Sequence, residues 1–226
     1  MIKILNSWEE LGISIGELQK ENCGYHWDAM KNWDLAQVNE LLKSCEKNAR
    51  ILDTGSLGSH ALRFCYKRGF NNCVGIDLHI SIEDRLLQAR LMFKGKTLRR
   101  PYRLMKMNLM ETTFARDYFD VILSISVIEH CVDLKSFLKE SSRILKTGGT
   151  LLITTDYWDP KISINTPKPF DLKWNIFSRK EISYLIDLAK NYDLVMSNPE
   201  IPTVVEPFVH WLGIDYTFIS LDFRKI

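Results

Sequence analysis

The chain lacks a strong charge of either sign. Its formal net charge is +2 over 226 residues, so the broad basic field that marks a nucleic-acid binder is missing. One basic run, KGKTLRRPYR (Lys94–Arg103), is short and interrupted by Pro101, and it reads as a solvated loop. There is no uninterrupted apolar stretch of about 18 residues, the length a membrane-crossing helix requires. The first residues, MIKILNSWEELGISIG, have no long apolar region with a small-residue cleavage site, so no signal peptide is expected. Cysteine is scarce. Cys23, Cys45, Cys65, Cys73 and Cys131 form no C-x-x-C pair, which removes the common zinc and redox spacings. Cys65, Cys73 and Cys131 sit in apolar patterns, where a free thiol behaves as a small hydrophobe. Internal repeats and low-complexity tracts are missing too. The expectation is a cytoplasmic protein that uses no nucleic acid, no membrane and no metal.

What the sequence does contain is alternation. Hydrophobic residues make up 46% and charged residues 26% of the chain, enough to build one sizeable core. DLAQVNELLKSC (Asp34–Cys45) has helical apolar spacing, ARILDTG is a short buried strand, and SHALRFCYKRGF returns to helical spacing up to Gly69. NCVGIDL, YRLMKMNL and YFDVILSIS predict three further strands, and DLKSFLKESSRIL predicts a helix capped by Asp133, with Gly148 and Gly149 beyond its end. TLLITTD is a fifth strand. SRKEISYLIDLAK opens with Ser178 and Glu181 at capping-box spacing. YDLVMSN and DYTFISLDFRK read as two final strands. Strands that are apolar without alternation, separated by helices, indicate an α/β domain whose mostly parallel sheet is covered on both faces. Ligands in such sheets bind beyond the carboxyl ends of the strands.

The stretch ILDTGSLGSH (Ile51–His60) therefore lies where chemistry is expected. Asp53 closes a strand, Gly55 starts a turn, and a helix begins near Ser59. Such a turn points backbone N–H groups at an anion. Asp77 closes the next strand, 24 residues after Asp53, the distance at which an acidic side chain accepts hydrogen bonds from both ribose hydroxyls of a bound cofactor. The combination points to an adenosine-containing cofactor. Ordinary turn glycines in an α/β core are the bland alternative.

RILDTGSLGSHAL, VGIDL and FDVILSISVIEHCVDLKSFLKESSRILKTGGTLLITT (Phe119–Thr155) together resemble the class I S-adenosylmethionine-dependent methyltransferases, in particular the small-molecule group. The resemblance spans about Arg50 to Thr155. It implies a Rossmann-like, doubly wound sheet of seven strands with the last antiparallel, and S-adenosyl-L-methionine as cofactor with S-adenosyl-L-homocysteine as product. It implies a cofactor site made of Asp53, Gly55, Ser56 and Gly58 in the first loop, Asp77 and Leu78 after the second strand, Asn108 and Leu109 after the third, and Ser126 after the fourth. Ser126 falls beside the sulfonium. Two positions depart from the family pattern. Leu57 and Ser59 stand where later glycines are usual, and Asn108 replaces an acidic residue, leaving a neutral amide oxygen as the acceptor. The expected organisation is an N-terminal helical cap over residues 1–48, a methyltransferase domain over residues 49–226, and an acceptor-site loop at 159–177.

Methyl transfer to an alcohol oxygen requires a proton to leave the acceptor. His130, in VIEHC after the fourth strand, is the first candidate base, with a structural or contact role as its alternative. Asp156, followed by Tyr157 and Trp158 after the fifth strand, offers a carboxylate beside an aromatic wall. Glu129 is expected to tie its loop down. GYHWDAMKNW (Gly24–Trp33) is either a packing helix or a lid carrying Tyr25, His26 or Trp27. His210 and Trp211 are placed to join an acceptor pocket, whereas packing is expected of His60 and His79. The sequence thus reads as an O-methyltransferase of a small polar acceptor, such as a sugar or a surface-glycan precursor. The alternatives are an inactive methyltransferase-like binding protein, a nicotinamide-dependent oxidoreductase, which Leu57 and Ser59 disfavour, and an RNA methyltransferase, which the near-neutral charge disfavours. Oligomeric state is left open.

Overall fold

A computed structural model describes every residue except 23, 25, 59, 85–101, 131 and 165–171. Most of the basic run, with Tyr25, Cys23, Cys131, Ser59 and the middle of the 159–177 loop, lies outside the described residues. The elements run β1 (Ile2–Ile4), α1 (Trp8–Lys20), α2 (Lys31–Lys43), β2 (Arg50–Thr54), α3 (His60–Lys67), β3 (Asn72–Asp77), β4 (Arg103–Lys106) and β5 (Phe119–Ile125). They continue with α4 (Leu134–Ile144), β6 (Leu145–Tyr157), α5 (Arg179–Lys190), β7 (Leu194–Val195), β8 (Val209–Trp211) and β9 (Ile214–Lys225).

The main sheet has the order β1-β9-β6-β5-β2-β3-β4. Strands β2 to β6 pair in parallel, and β9 runs antiparallel to β6. The expected mostly parallel sheet with an antiparallel last strand is therefore present, with nine strands among the described residues rather than seven. The additional pairings all use β9. Ile2–Ile4 lie antiparallel to residues 219–221 of β9, β7 pairs further along it, and β8 returns on it as a hairpin. The N-terminal segment thus contributes a strand to the sheet as well as helices.

Successive residues of the central strands face opposite sides, as the period of two demands. Ile51, Val121, Leu123 and Leu152 join Val38, Leu42, Leu62 and Phe64 of α2 and α3 in one buried cluster. Their neighbours Leu52, Ile122 and Ile153 join Phe137 and Leu138 of α4 and Leu185 of α5 in another. A third cluster gathers Leu5, Leu11 and Trp33 with Trp174, Tyr216 and Phe218. This last one packs α1 and α2 over the carboxyl rim of the sheet.

The caps follow the sequence. Asp133 accepts from the N–H of Ser136, and Ser178 with Glu181 forms the reciprocal capping box. Gly148 and Gly149 lie beyond the end of α4, as expected, but inside β6 and not at a helix cap. The helix passes directly into β6, and the glycines take up a register shift between Phe119 and Val121 of the paired strand. Lys225 completes this junction from β9. Its Nζ donates to the carbonyls of Ser142 and Leu145 and to Asp117, so the buried C-terminal end of α4 meets a cation of the favourable sign.

Chain order reverses between β2 and β5. From β2 the chain steps outward to β3 and β4, and from β5 it steps the other way to β6. A crevice forms beyond the carboxyl ends at such a switch point. The loops following β2 and β5 are its two walls. At the start of α5, Ser178→Ala should lower stability by about 1 kcal/mol through loss of the cap, measured as a shift of the urea midpoint at unchanged slope.

Candidate active site

The first wall is the loop after β2. Asp53 is buried at the strand end. Gly55 follows with φ of 68°, a left-handed conformation that costs a residue with a Cβ about 1–2 kcal/mol. Space matters there as well, since a Cβ on Gly55 would lie 2.5 Å from Val127 Cγ2. The glycine therefore brings the walls after β2 and β5 into contact. Ser56 is buried, its N–H donating to the Ile76 carbonyl at 3.0 Å. Gly58 takes a second left-handed turn, φ 69°.

Asp77 organises the neighbouring loop. One carboxylate oxygen accepts from the N–H of Leu57 at 3.3 Å, and the other accepts from the N–H of His79 at 2.7 Å. A carboxylate offers about four acceptor positions, so these two bonds hold its plane and leave capacity for two more donors. The leucine at position 57 does not block this arrangement. It supplies a backbone donor while its side chain is 47% exposed. Leu78 is 51% exposed beside it. Asn108 is brought close through β4, where the N–H of Met107 donates to the Asp77 carbonyl at 3.1 Å. The Asn108 Oδ1 accepts from the Met110 N–H at 2.9 Å, and Leu109 packs on the core. A ribose diol fits the remaining acceptor capacity of Asp77, and a flat base fits the two exposed leucines.

The second wall is more strongly charged. Ser126 ends β5 with φ of 53°, unusual for a residue other than glycine. Its N–H donates to the Thr154 carbonyl at 3.0 Å. Its Oγ accepts from Lys31 Nζ at 2.6 Å and lies 3.2 Å from Asp34 Oδ2. Both partners come from the start of α2, over 90 residues away. Lys31 and Asp34 also pair at 3.5 Å, and the Lys31 ammonium lies 4.0 Å from the centroid of the Phe218 ring. Burial pushes Asp34 upward against the pull of Lys31. The carboxylates of Asp34, Asp156 and Glu129 together hold Lys31 protonated despite its burial.

Asp156 lies one residue before the end of β6, in its buried half, and is 4% exposed. Its Oδ2 accepts from Trp174 Nε1 at 2.7 Å, while its Oδ1 has no hydrogen-bond partner among the described residues. Burial raises its pKa to about 6, with Lys31 acting in the opposite direction. Glu129, buried with Oε2 accepting from Thr155, is pushed well upward by burial and by Asp156. It also fastens its loop, since its carbonyl accepts from the Asn175 N–H. His130 stands on the same loop, its pKa lowered to about 4 by burial and by Lys31.

Other expected participants surround this rim. His26 lies against His60, the rings tilted by 51° with centroids 4.1 Å apart, which lays the segment before α2 over the glycine loop. Trp27 is 85% exposed. Trp211 meets Trp174 edge-on at 5.0 Å, so the β8 hairpin reaches the surroundings of Asp156. His210 instead pairs with Asp215 on the exposed side. Lys31 and Asp34 were not among the residues singled out from the sequence. Their one visible signal is a K-x-x-D pair in a helix that buries nearly every position from 32 to 39. Among the described residues there is no cluster of metal ligands and no helix long and apolar enough to cross a membrane.

This fold is that of the class I S-adenosylmethionine-dependent methyltransferases. Residues 52–153 match the family model described as a methyltransferase domain. The ubiquinone biosynthesis O-methyltransferase of Pelagibacter ubique is 30% identical over 109 residues, which cover 48% of this chain and 42% of that protein. The chain thus spans less than half the length of this curated relative. Among solved structures, the 1,6-didemethyltoxoflavin-N1-methyltransferase of Burkholderia thailandensis has a TM-score of 0.63 at 16% identity, covering 98% of this chain and 91% of that one. A SAM-dependent methyltransferase of Methanosarcina mazei has a TM-score of 0.60 at 16% identity, covering 83% and 97%.

The contact between walls can be tested alone. Gly55→Ala should destabilise the protein by about 1–3 kcal/mol, through the unfavourable φ and overpacking against Val127. The Gly55→Ala/Val127→Ala double variant should recover the packing part only. Urea denaturation of the single and double variants measures both.

Proposed function

We propose that the protein is an S-adenosylmethionine-dependent O-methyltransferase acting on a hydroxyl of a small polar acceptor. The observation that carries this reading is the pairing of two different walls at the switch point. One carries Asp77 and exposed apolar surface, and the other carries a buried carboxylate beside a fixed ammonium. Bound S-adenosylmethionine supplies an electrophilic methyl group on a sulfonium. Asp77, Leu57, Leu78 and Asn108 would hold its adenosine part, and Asp53, Gly55, Ser56 and Gly58 its methionine part, with Leu109 behind the base and Ser126 beside the sulfur.

For the proton, Asp156 is the better base. A group with a pKa near the working pH combines the correct protonation state with useful basicity. Asp156 at about 6 meets that condition more closely than His130 at about 4. His130 then serves as a neutral contact on the acceptor side. The carboxylate must be ionised to accept a proton, so activity should fall as pH drops through about 6.

Oxygen as the methylated atom is supported by the similarity to an O-methyltransferase of Pelagibacter ubique. A sugar or surface-glycan precursor is the acceptor expected from the sequence, and the exposed faces of Trp27 and Trp211 support it. The relative is named for ubiquinone biosynthesis, which supports an acceptor on the way to ubiquinone as the second reading. The segment 159–177 and the helices before residue 49 are the parts that would select between them. No sequence feature favours a nucleic-acid partner, and a cytoplasmic location remains the working expectation.

S-adenosylhomocysteine should raise the melting temperature of the parent protein, and Asp77→Ala should lose that rise while keeping the fold. Incubation with labelled S-adenosylmethionine and pooled metabolites, followed by mass spectrometry, identifies the acceptor. Binding of the cofactor product without any methylated metabolite would favour the inactive binding-protein reading.

A further inference from the structure

We propose that Lys31 is a catalytic residue: its ammonium binds the acceptor oxygen and stabilises the negative charge that develops there as the hydroxyl proton moves to Asp156. The inference rests on the O-methyltransferase reading and extends it to a residue of the N-terminal helix.

Lys31 is the reachable member of a buried charge cluster. Its side chain is 26% exposed, against 1% for Asp34. An ammonium has three donors. Ser126 Oγ takes one at 2.6 Å, and Asp34 Oδ2 attracts a second at 3.5 Å. The third is available to an oxygen ligand. The Phe218 ring, 4.0 Å away, supports the cation without accepting a conventional hydrogen bond. Asp34 and Ser126 fix where the charge sits, and the strained backbone at Ser126 sets the height of the hydroxyl that holds it.

The second observation is the buried Asp156 Oδ1, which has no partner among the described residues. Its sister oxygen is fixed by Trp174 at 2.7 Å, so the carboxylate cannot rotate freely. A hydroxyl placed between Lys31 and this oxygen has a donor for its lone pair and an acceptor for its proton. When the proton crosses, the negative charge passes from Asp156 to the acceptor oxygen, and Lys31 stays protonated throughout. A preformed cation at the point where charge develops is worth far more in a dry site than in water. Lys31 is a poor base, since the surrounding carboxylates keep it charged. That leaves stabilisation, not proton removal, as its role.

Among the described residues, the charged and titratable groups that act on or feel Asp156 are Lys31 and Asp34 from α2, Glu129 from the loop after β5, and Tyr216 from β9. Lys31 is the one cation among them. Its removal should therefore raise the pKa of Asp156.

The test uses 4-nitrocatechol, whose ionised form is coloured, titrated into the protein saturated with S-adenosylhomocysteine. In the parent protein the bound probe should ionise at lower pH than in solution, by about one unit, a tenfold change in its acidity. Lys31→Met should abolish that shift while S-adenosylhomocysteine still binds. Lys31→Arg should keep part of it. Lys31→Met/Asp34→Asn removes both charges of the pair and controls for disruption by an uncompensated carboxylate; it too should lose the shift. Equal probe ionisation in the parent, Lys31→Met and double variants would overturn the inference and leave the cofactor assignment standing. Failure of the probe to bind the loaded parent would also overturn it. Failure of S-adenosylhomocysteine to bind the parent would instead remove the methyltransferase reading itself, and this inference with it.

Discussion

A lysine ammonium set among buried carboxylates is the interaction on which the carboxyl rim depends. Asp34 and Asp156 are each at most 4% exposed, and a buried carboxylate without a counter-charge is strongly unfavourable. Breaking a buried pair by removing one partner costs about 3–5 kcal/mol, more than an exposed pair contributes. Lys31 supplies the counter-charge, and in doing so ties α2 to the ends of β5, β6 and β9. The same contact holds Ser126 in a backbone conformation that few non-glycine residues adopt. The arrangement places polar groups where an apolar core would have been more stable, which is the usual mark of a rim kept for chemistry.

The fold supplies the other half. Reversal of strand order between β2 and β5 opens the crevice, and Gly55 against Val127 sets its width. Asp77 sits on one side with both oxygens already oriented by backbone donors. Asp156, the carboxylate proposed to take a proton, sits on the other side, on β6. Parallel pairing brings all these strand ends to the same level, so groups from β2, β3, β5 and β6 face one space. A cofactor and an acceptor can then be held by different walls, and variation in the acceptor loops need not disturb the cofactor.

Much of this was legible in the sequence, and the reasons are local. The pairs Asp53–Gly55 and Asp77 follow from strand ends and turn chemistry, and Asp133, Ser178 and Glu181 from capping rules that act over three residues. What escaped notice is long-range. Ile2–Ile4 is only three residues long and has no turn signal, and its pairing with β9 bridges more than 210 residues. Lys31 and Asp34 look like one more helical ion pair until α2 is docked on Ser126, 95 and 92 positions away. Gly148 and Gly149 imitate a helix stop because a bulge in a strand uses the same residue type. His130 stands on the rim, where burial and its neighbour Lys31 lower its pKa to about 4, and no local pattern encodes that shift.

The most direct measurement is a crystal structure of the protein soaked with S-adenosylhomocysteine. The account predicts ribose hydroxyls within hydrogen-bond distance of the Asp77 carboxylate, about 2.6–3.2 Å, with the thioether lying between Gly55 and Ser126 and Lys31 still paired with Asp34. A soaked crystal with that crevice empty, or with the nucleoside bound elsewhere on the molecule, would contradict it.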